Sequence, residues 1–479
     1  MVVSLGLALL SGFLCGLSFC IDNLSFLVWF SFIPFFCVIN KKRKKTFFLG
    51  FVFGISFYLT VIFWLKEVTK LGLFFLILYL SLYPAFFSFF ALYFLKRPQK
   101  IFTLSSLWVI LEFLKENLFS GFGWANLGYS QYKNLYLIQV VDLLGTKFVS
   151  FFIIMVNVFL FESILRRKII FKNLFLVISI FVFSFLYSFF RLHNLEESDI
   201  LKISIIQPNI LQELKWKEDY NEFILTRLKE LPRKTDKNSL VVFPEASWPF
   251  VLKKDNFFQL KNFIKGIDRT TLLGAVKKEN GNFYNTALLL DKEGNLKKIY
   301  RKINLVPFGE YVPFRKYLSF IEAINAFGDI AKGKEETIFS YQNRIFFVLI
   351  CFEDIFPSFV RRVSEKSDFL ISITNDAWFK GNPQARQHLA ILVMRAIENR
   401  ISVVRSANTG ISSWVSFKGE IEKLKKGKID VFFAEGKTFK ILLNKKRSLY
   451  NKYGEIFVFL CIILIIGNLL YGYIVELLH

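Results

Sequence analysis

The chain of 479 residues is strongly apolar, with 54% hydrophobic residues, 61 Phe and a mean hydropathy of +0.42. This composition excludes a disordered chain, a collagen-like chain and an ordinary soluble enzyme. The net charge is +24, and in so apolar a chain this basic balance indicates a membrane surface as the partner rather than nucleic acid. With only five Cys and three His, we expect no disulfide framework, no metal and no cofactor.

Long apolar runs occur in two parts of the chain. A helix of about 20 apolar residues is long enough to cross a bilayer, and the sequence contains eight such runs. The predicted spans are 2–21, 23–40, 46–65, 71–95, 101–119, 147–165, 169–190 and 455–476. We therefore expect three parts: a seven-span bundle over 1–190, a globular domain over 191–454, and a C-terminal span over 455–479.

The basic residues of the bundle are concentrated in alternate loops. Five lie in 41–45, three in 96–100 and four in 166–172, whereas the intervening loops are poorer in Lys and Arg. The positive-inside rule places these basic loops in the cytoplasm. The N-terminus is then cytoplasmic, and the domain at 191–454 emerges on the opposite side of the membrane.

In the domain at 191–454, short apolar runs alternate with helical patterns, which predicts a layered α/β fold. The predicted strands are Leu201–Ile206, Leu240–Phe243, Thr271–Val276, Asn285–Leu290, Ile345–Ile350, Phe369–Ile373 and Ile401–Val404. The predicted helices are Glu213–Leu231, Phe257–Lys265 and Gln384–Arg400.

Cys351 is the one thiol of this domain, and it follows an apolar strand directly. A free Cys is more often a small buried apolar residue than a nucleophile. Its position at the end of a strand favours the nucleophile, and a helix beginning near residue 355 would stabilise the thiolate. Both interpretations remain open on composition alone.

A nucleophilic thiol needs a base and a group that stabilises the oxyanion. Of the three His, His193 lies where the chain leaves the membrane and His479 is the C-terminal residue. Glu245, which follows a strand and Pro244, is therefore a candidate base, and Lys302 is a candidate oxyanion partner. Each could equally be a helix cap or a surface charge, and their spacing does not show that they meet.

Several longer motifs resemble the nitrilase superfamily, and in particular its membrane-bound branch, the apolipoprotein N-acyltransferases. The similarity extends over nearly the whole chain. The motifs are WVILEFLKENLFSGFGW at 108–124, FPEASWP at 243–249, YRKINLVPFGEYVPF at 300–314, ICFEDIFP at 350–357, TNDAWF at 374–379 and QARQHLAILVMRAIENR at 384–400.

The resemblance implies an αββα sandwich as the fold of the domain and a role for each matching residue. Glu245 would be the general base, Lys302 the oxyanion-stabilising residue and Cys351 the nucleophile. Two acids, Glu310 and Glu353, would support this triad. Four residues would contact the substrate: Trp216, Phe352, Asn375 and Trp378. Phe352 departs from the family, which often has Tyr at this position, so a phenol is not essential there.

The resemblance also implies the reaction. An acyl chain would pass from a membrane phospholipid, which we expect to be phosphatidylethanolamine, to Cys351 as a thioester. It would then pass to the α-amino group of the N-terminal diacylglyceryl-cysteine of a lipoprotein. We expect a monomer in the bacterial cytoplasmic membrane with its catalytic domain on the periplasmic side.

Two other functions are compatible with the same residues. In a membrane-tethered amidase or nitrilase, water would resolve the thioester, and in a scaffold protein the site would be vestigial. The membrane spans favour transfer between lipids, because a soluble amide substrate would not require them. For Glu112 and Glu116, near the outer end of the span at 101–119, we expect a structural or headgroup-binding role.

Overall fold

The structure is a computed structural model that describes residues 1–41, 45–97, 99–194, 199–312, 329–379, 382–444 and 446–477. Residues 42–44 of the first basic loop lie outside the described residues. The chain forms two compact units. The helical unit comprises Met1–Leu195, Arg386–Glu398 and Ser448–His479, and the α/β unit comprises Glu196–Ala385 and Asn399–Arg447.

In the described part of the helical unit, seven helical stretches are long and apolar enough to cross a membrane. They are Val2–Cys20, Asp22–Lys41, Thr46–Glu67, Lys70–Phe94, Thr146–Arg166, Phe171–Asn194 and Ile456–Ile474. Other helices of this unit are Lys100–Asn117, Leu135–Ile138, Val141–Leu144 and Leu449–Tyr453, together with most of Asn382–Asn399. The chain is thus a multi-pass membrane protein.

Two predicted spans differ from the expectation. The span predicted at 23–40 consists of a 3-10 helix, Asp22–Trp29, followed by a short α-helix, Ile33–Lys41. The span predicted at 101–119 forms the helix Lys100–Asn117, but its charged residues exclude it from the strongly apolar set. Whether that helix crosses the membrane remains a prediction.

The charges of Lys100–Asn117 are buried among polar partners in the helical unit. Glu112 accepts hydrogen bonds from Trp108 Nε1 at 2.9 Å and from the Leu127 amide at 2.8 Å. Glu116 pairs with Lys147 at 2.5 Å, and Lys147 also contacts a carboxylate oxygen of Glu455 at 3.0 Å. This arrangement supports a structural role for both glutamates, because each carboxylate is held by groups of the protein itself.

The α/β unit contains two six-stranded sheets. The first has the order β12-β1-β2-β3-β4-β5, and the second has the order β11-β10-β9-β8-β7-β6. The strands are β1 Ile200–Gln207, β2 Leu240–Val242, β3 Thr271–Glu279, β4 Asn282–Leu290, β5 Leu296–Arg301, β6 Phe339–Tyr341, β7 Arg344–Ile350, β8 Phe369–Thr374, β9 Ser402–Ala407, β10 Ser413–Val415, β11 Ile421–Lys423 and β12 Glu435–Leu442.

The two sheets pack face to face, with helices outside them. Ser406 on β9 donates its hydroxyl to main-chain oxygens of the opposite sheet, at Ile206 (3.0 Å) and Val242 (3.2 Å). The helices Asn221–Glu230 and Phe257–Ile267 bury Ile224, Leu228, Leu260 and Ile264 in the core cluster of the first sheet. The helix Pro357–Glu365 packs Phe359 against Phe347 of the second sheet. The predicted αββα sandwich is confirmed.

All seven predicted strands are present, but the predicted helix Glu213–Leu231 is wrong in its first half. Residues 211–217 form turns, a 3-10 helix covers Glu218–Tyr220, and the α-helix begins only at Asn221. The physical reason is tertiary contact, because Lys215 is buried and its ammonium donates to the main-chain oxygen of Glu245. That contact outweighs the local helix propensity.

Replacing Lys147→Met should destabilise the helical unit by about 3–5 kcal/mol, because two buried carboxylates would lose their cation. Thermal unfolding in detergent micelles measures the change. The control is Lys66→Met, which removes an exposed lysine whose pair with Glu67 spans 3.9 Å, and it should alter stability by less than about 1 kcal/mol. Equal melting temperatures for Lys147→Met and the wild type would contradict a stabilising ionic cluster.

Candidate active site

Glu245 lies just beyond the end of β2, on a turn that the first sheet holds in place. Ala246 adopts a left-handed backbone with a φ of 46°, a conformation that costs free energy and is common at functional sites. The turn lies so close to β3 that a Cβ atom on Gly274 would be 2.7 Å from Glu245 Cα. The site therefore requires glycine at position 274.

Glu245 is 8% exposed, and each oxygen of its carboxylate accepts a hydrogen bond. Oε1 accepts from Asn285 Nδ2 at 2.7 Å and lies 3.4 Å from the Lys302 ammonium. Oε2 accepts from the main-chain amide of Asn375 at 2.9 Å. These contacts fix the orientation of the carboxylate.

Lys302 follows β5 and is almost completely buried. Its ammonium contacts Glu310 Oε2 at 2.8 Å and Glu245 Oε1 at 3.4 Å. Burial by itself would lower the pKa of Lys302, but the two carboxylates outweigh it and raise the pKa above the ordinary value. Lys302 is therefore a permanent cation at physiological pH.

Cys351 follows β7 directly, at the first residue of a 3-10 turn, Cys351–Ile355, and has a left-handed φ of 54°. Burial and then the charge of Glu245 raise the pKa of the thiol well above its ordinary value, although Lys302 and a hydrogen bond with Thr374 oppose this. A helix begins near residue 355 as expected, but burial outweighs any stabilisation of the thiolate and keeps the pKa of Cys351 high. The helix begins at Pro357, and the resting thiol is protonated.

The structure thus brings the predicted triad together from both sheets. Glu245 and Lys302 come from the first sheet and are in direct contact, while Cys351 comes from the second sheet. The charges of Glu245 and Lys302 both act on the thiol. A protonated thiol, a fixed carboxylate and a permanent cation are the groups needed for base-assisted nucleophilic attack with oxyanion stabilisation.

Glu353 joins the segment after Lys302 to the turn at Cys351. Its buried carboxylate accepts from the Ile303 amide at 2.8 Å and the Asn304 amide at 3.1 Å. It also accepts from the Ile350 amide at 2.8 Å and from the Tyr300 hydroxyl at 2.7 Å. Glu353 is placed to hold the two segments in register with each other.

Glu310 supports Lys302 in a similar way. One oxygen accepts from Asn285 Nδ2 at 2.8 Å, and the other accepts from the Val306 amide at 2.8 Å and contacts Lys302. Glu310 and Glu353 were predicted as supporting acids, and both lie among the triad residues.

The predicted substrate-binding residues fall into two groups. Trp216 and Trp378 are about half exposed, at 47% and 49%, and Phe352 is partly buried with its ring 5.3 Å from that of Phe356. Asn375 is buried, and its side chain bonds to Gln212 and Asn408 at 2.9 Å each. Substrate contact by these four residues remains a prediction, and Asn375 is already engaged within the protein.

Sequence reasoning missed three polar residues of the site. Asn285 bridges Glu245 and Glu310, Thr374 bonds to Cys351, and the charge of Asp376 acts on the thiol. Thr374 ends the apolar strand β8 and Asp376 follows it, a signal that could have identified them, whereas Asn285 lies within β4 just before its apolar half. Among the described residues, no cluster of His, Cys, Asp or Glu is placed to hold a metal ion.

An αββα sandwich with a buried Glu, Lys and Cys defines the class of carbon-nitrogen hydrolases, and residues 202–428 match the model of that family. Residues 11–159 match the apolipoprotein N-acyltransferase N-terminal domain. The chain is 34% identical to the apolipoprotein N-acyltransferase of Geobacter metallireducens, covering 95% of this chain and 92% of that one. It is 30% identical to that of Haemophilus ducreyi, covering 81% and 78%.

The chain also aligns with a solved CN-hydrolase superfamily protein from Xanthomonas campestris at 18% identity and a TM-score of 0.36, covering 51% of this chain and 91% of that one. The full-length matches decide the family. The chain belongs to the apolipoprotein N-acyltransferases and is a membrane-bound acyltransferase of lipoprotein biosynthesis.

Replacing Glu353→Gln should destabilise the α/β unit at pH 7 by about 1.5–3 kcal/mol. The reason is that backbone N–H groups face both oxygens of Glu353, and either oxygen can accept a hydrogen bond whether or not the carboxyl is protonated, whereas the nitrogen of an amide cannot accept one. Thermal unfolding measures the loss, with Glu365→Gln at an exposed helix end as the matched control. A destabilisation no larger than that of the control would show that Glu353 does not hold the two segments.

The same residue predicts a pH dependence. Burial raises the pKa of Glu353 from 4.5 to about 7 in the folded protein. The folded state therefore binds the Glu353 proton more tightly than the unfolded state does. This contribution to the free energy of unfolding is fully present below pH 4.5 and is lost as the pH rises through about 7. The loss totals about 3 kcal/mol. The gap in melting temperature between wild type and Glu353→Gln should therefore narrow from pH 4.5 to pH 8, whereas parallel curves would contradict the assignment.

Proposed function

We propose that the chain transfers an acyl chain from a membrane phospholipid to the α-amino group of the N-terminal S-diacylglyceryl-cysteine of a lipoprotein. The transfer proceeds through a thioester on Cys351. The observation that carries this proposal is the contact of Lys302 with Glu245, together with the action of both charges on the Cys351 thiol.

In the first half-reaction, Glu245 takes the proton of the Cys351 thiol while the sulfur attacks the ester carbonyl of the phospholipid. The raised pKa of the thiol makes this base necessary, because little thiolate is present at rest. The ammonium of Lys302 stabilises the oxyanion of the tetrahedral intermediate. When the carbon–oxygen bond breaks, Glu245 returns the proton to the departing oxygen, and a lysophospholipid leaves.

In the second half-reaction, the neutral α-amine of the lipoprotein attacks the thioester carbonyl. Glu245 takes a proton from the attacking nitrogen, and Lys302 again stabilises the oxyanion. The carbon–sulfur bond breaks, an amide is formed, and the proton returns to the sulfur of Cys351. The enzyme is thereby restored, and donor and acceptor react in turn.

The remaining features of the proposal are the donor, the oligomeric state and the orientation. We infer a phosphatidylethanolamine donor and a monomer in the bacterial cytoplasmic membrane. The basic loops at 41–45, 96–100 and 166–172 support a cytoplasmic N-terminus and a periplasmic catalytic domain over 191–454. Both substrates are lipids, which accounts for a catalytic domain between a bundle at 1–190 and a C-terminal span at 455–479.

A hydrolase would use the same triad, but water would resolve the thioester. The full-length similarity to acyltransferases favours transfer over hydrolysis. A scaffold with a vestigial site would not require Glu245, Lys302 and Cys351 to converge.

The proposal predicts that the purified protein, given phosphatidylethanolamine and a diacylglyceryl-cysteine peptide, adds one acyl mass to the peptide. Mass spectrometry measures the product. Cys351→Ala should form none, and kinetics with both substrates varied should give the parallel lines of a ping-pong reaction. Released fatty acid with an unchanged peptide would identify a hydrolase, and product from Cys351→Ala would overturn the thioester.

Lys302→Met should slow the same reaction by about 10²–10³-fold, because the oxyanion would lose its cation. Lys298→Met removes an exposed lysine from the neighbouring strand β5 and is the matched control. Wild-type rates for Lys302→Met would exclude it as the oxyanion-stabilising residue.

A further inference from the structure

A second lysine, Lys215, is buried beside Glu245, and no carboxylate of the described residues lies within ion-pair distance of its ammonium. Its residue exposure is 3%, and its ammonium donates to the main-chain oxygen of Glu245 at 3.3 Å. An isolated buried ammonium is costly unless other groups compensate its charge. A negative charge near Lys215 is therefore needed to compensate its buried ammonium.

Glu245 supplies the compensation. Burial lowers the pKa of Lys215 to about 8, and the charge of Glu245 opposes that effect. Lys215 is therefore mostly protonated at neutral pH, with the charge of Glu245 nearby. Lys302 contacts Glu245 as well, so two lysines act on one carboxylate.

The segment that carries Lys215 is tied to Glu245 at a second point. Gln212 Oε1 accepts from the Asn375 side chain at 2.9 Å, and the Asn375 amide donates to Glu245 Oε2 at 2.9 Å. The turns of 211–217 thus contact Glu245 in two ways. Lys215 donates to the main-chain oxygen of Glu245, and Gln212 is linked to the Glu245 carboxylate through Asn375.

The group formed by Glu245, Glu310 and Lys302 carries one more negative than positive charge. Glu245 and Glu310 bring two negative charges, and Lys302, which contacts both, brings one positive charge. Lys215 brings the second. Without Lys215, this group would keep its excess negative charge, which disfavours the ionised form of a carboxylate.

We propose that Lys215 is a positioning residue that holds the Glu245 turn and keeps the Glu245 carboxylate ionised beside Glu310, so that it can accept the thiol proton. This inference rests on the proposed role of Glu245 as the base. Three charged groups face Glu245: Lys215, Lys302 and Glu310. Glu310 is linked to Glu245 through Asn285 and Lys302. A fourth charged group, Asp376, acts on the Cys351 thiol.

The test is the pH dependence of Cys351 alkylation by iodoacetamide, followed by peptide mass spectrometry on the full chain in detergent micelles from pH 5 to 9. Alkylation at low pH needs a base to take the thiol proton of Cys351, so its rate falls as the pH is lowered. In Lys215→Met, the midpoint of this fall should rise by about one pH unit. Below the midpoint, alkylation should be about 10-fold slower than in the wild type.

Three further variants separate charge from structure. Lys215→Arg keeps the cation and should keep the wild-type midpoint. Lys215→Gln also removes the cation but leaves a polar side chain in its place. It replaces Lys215→Met in the comparison with the wild type if circular dichroism shows that Lys215→Met is unfolded. Lys217→Met removes an exposed lysine two residues away and should change nothing.

An unchanged midpoint in the folded neutral variants would overturn the proposal, even if their rates fell uniformly. A midpoint in Lys215→Arg that rises as far as in Lys215→Met would overturn it too, because the charge would then be irrelevant. Alkylation requires no phospholipid and no lipoprotein. If the midpoint shifts as expected but no acyl-enzyme forms with phosphatidylethanolamine, the proposed function fails while the role of Lys215 stands.

Discussion

The active site depends on one electrostatic arrangement, the buried ammonium of Lys302 between the carboxylates of Glu245 and Glu310. A buried charge is tolerated only when opposite charges and hydrogen bonds compensate it. Asn285 completes the arrangement, since its one amide nitrogen donates to both carboxylates. Removing any of these groups leaves another buried charge without its partner.

This arrangement explains why the thiol is protonated at rest. Burial is the main cause of the raised pKa of Cys351. The negative charge of Glu245 raises this pKa further, and it acts on the thiol more strongly than the positive charge of Lys302. In the proposed mechanism, the thiolate of Cys351 therefore forms only by proton transfer within the site. A protonated thiol is also less easily oxidised, because thiolates are the reactive form.

The sequence predicted the central strands and the triad because their signals are local or carried by long motifs. Strands such as Ile345–Ile350 are continuous apolar runs, and Glu245 and Cys351 follow such strands, whereas Lys302 was identified through the motif at 300–314. The strands β5, β6, β10, β11 and β12 were missed because they are short or rich in polar residues at the sheet edges. The turns of 211–217 were predicted as helix because their shape depends on Lys215 and Gln212 contacting distant residues, which no local pattern records.

The strand order of the first sheet has a consequence for biosynthesis. The neighbour of β1 is β12, so residues 200–207 pair with residues 435–442, which are made more than two hundred residues later. The nucleophile moreover comes from the opposite sheet to its base. A ribosome must therefore release almost the entire chain before the first sheet is complete. Truncated products of translation that end before residue 435 therefore lack the edge strand of the sheet that holds Glu245.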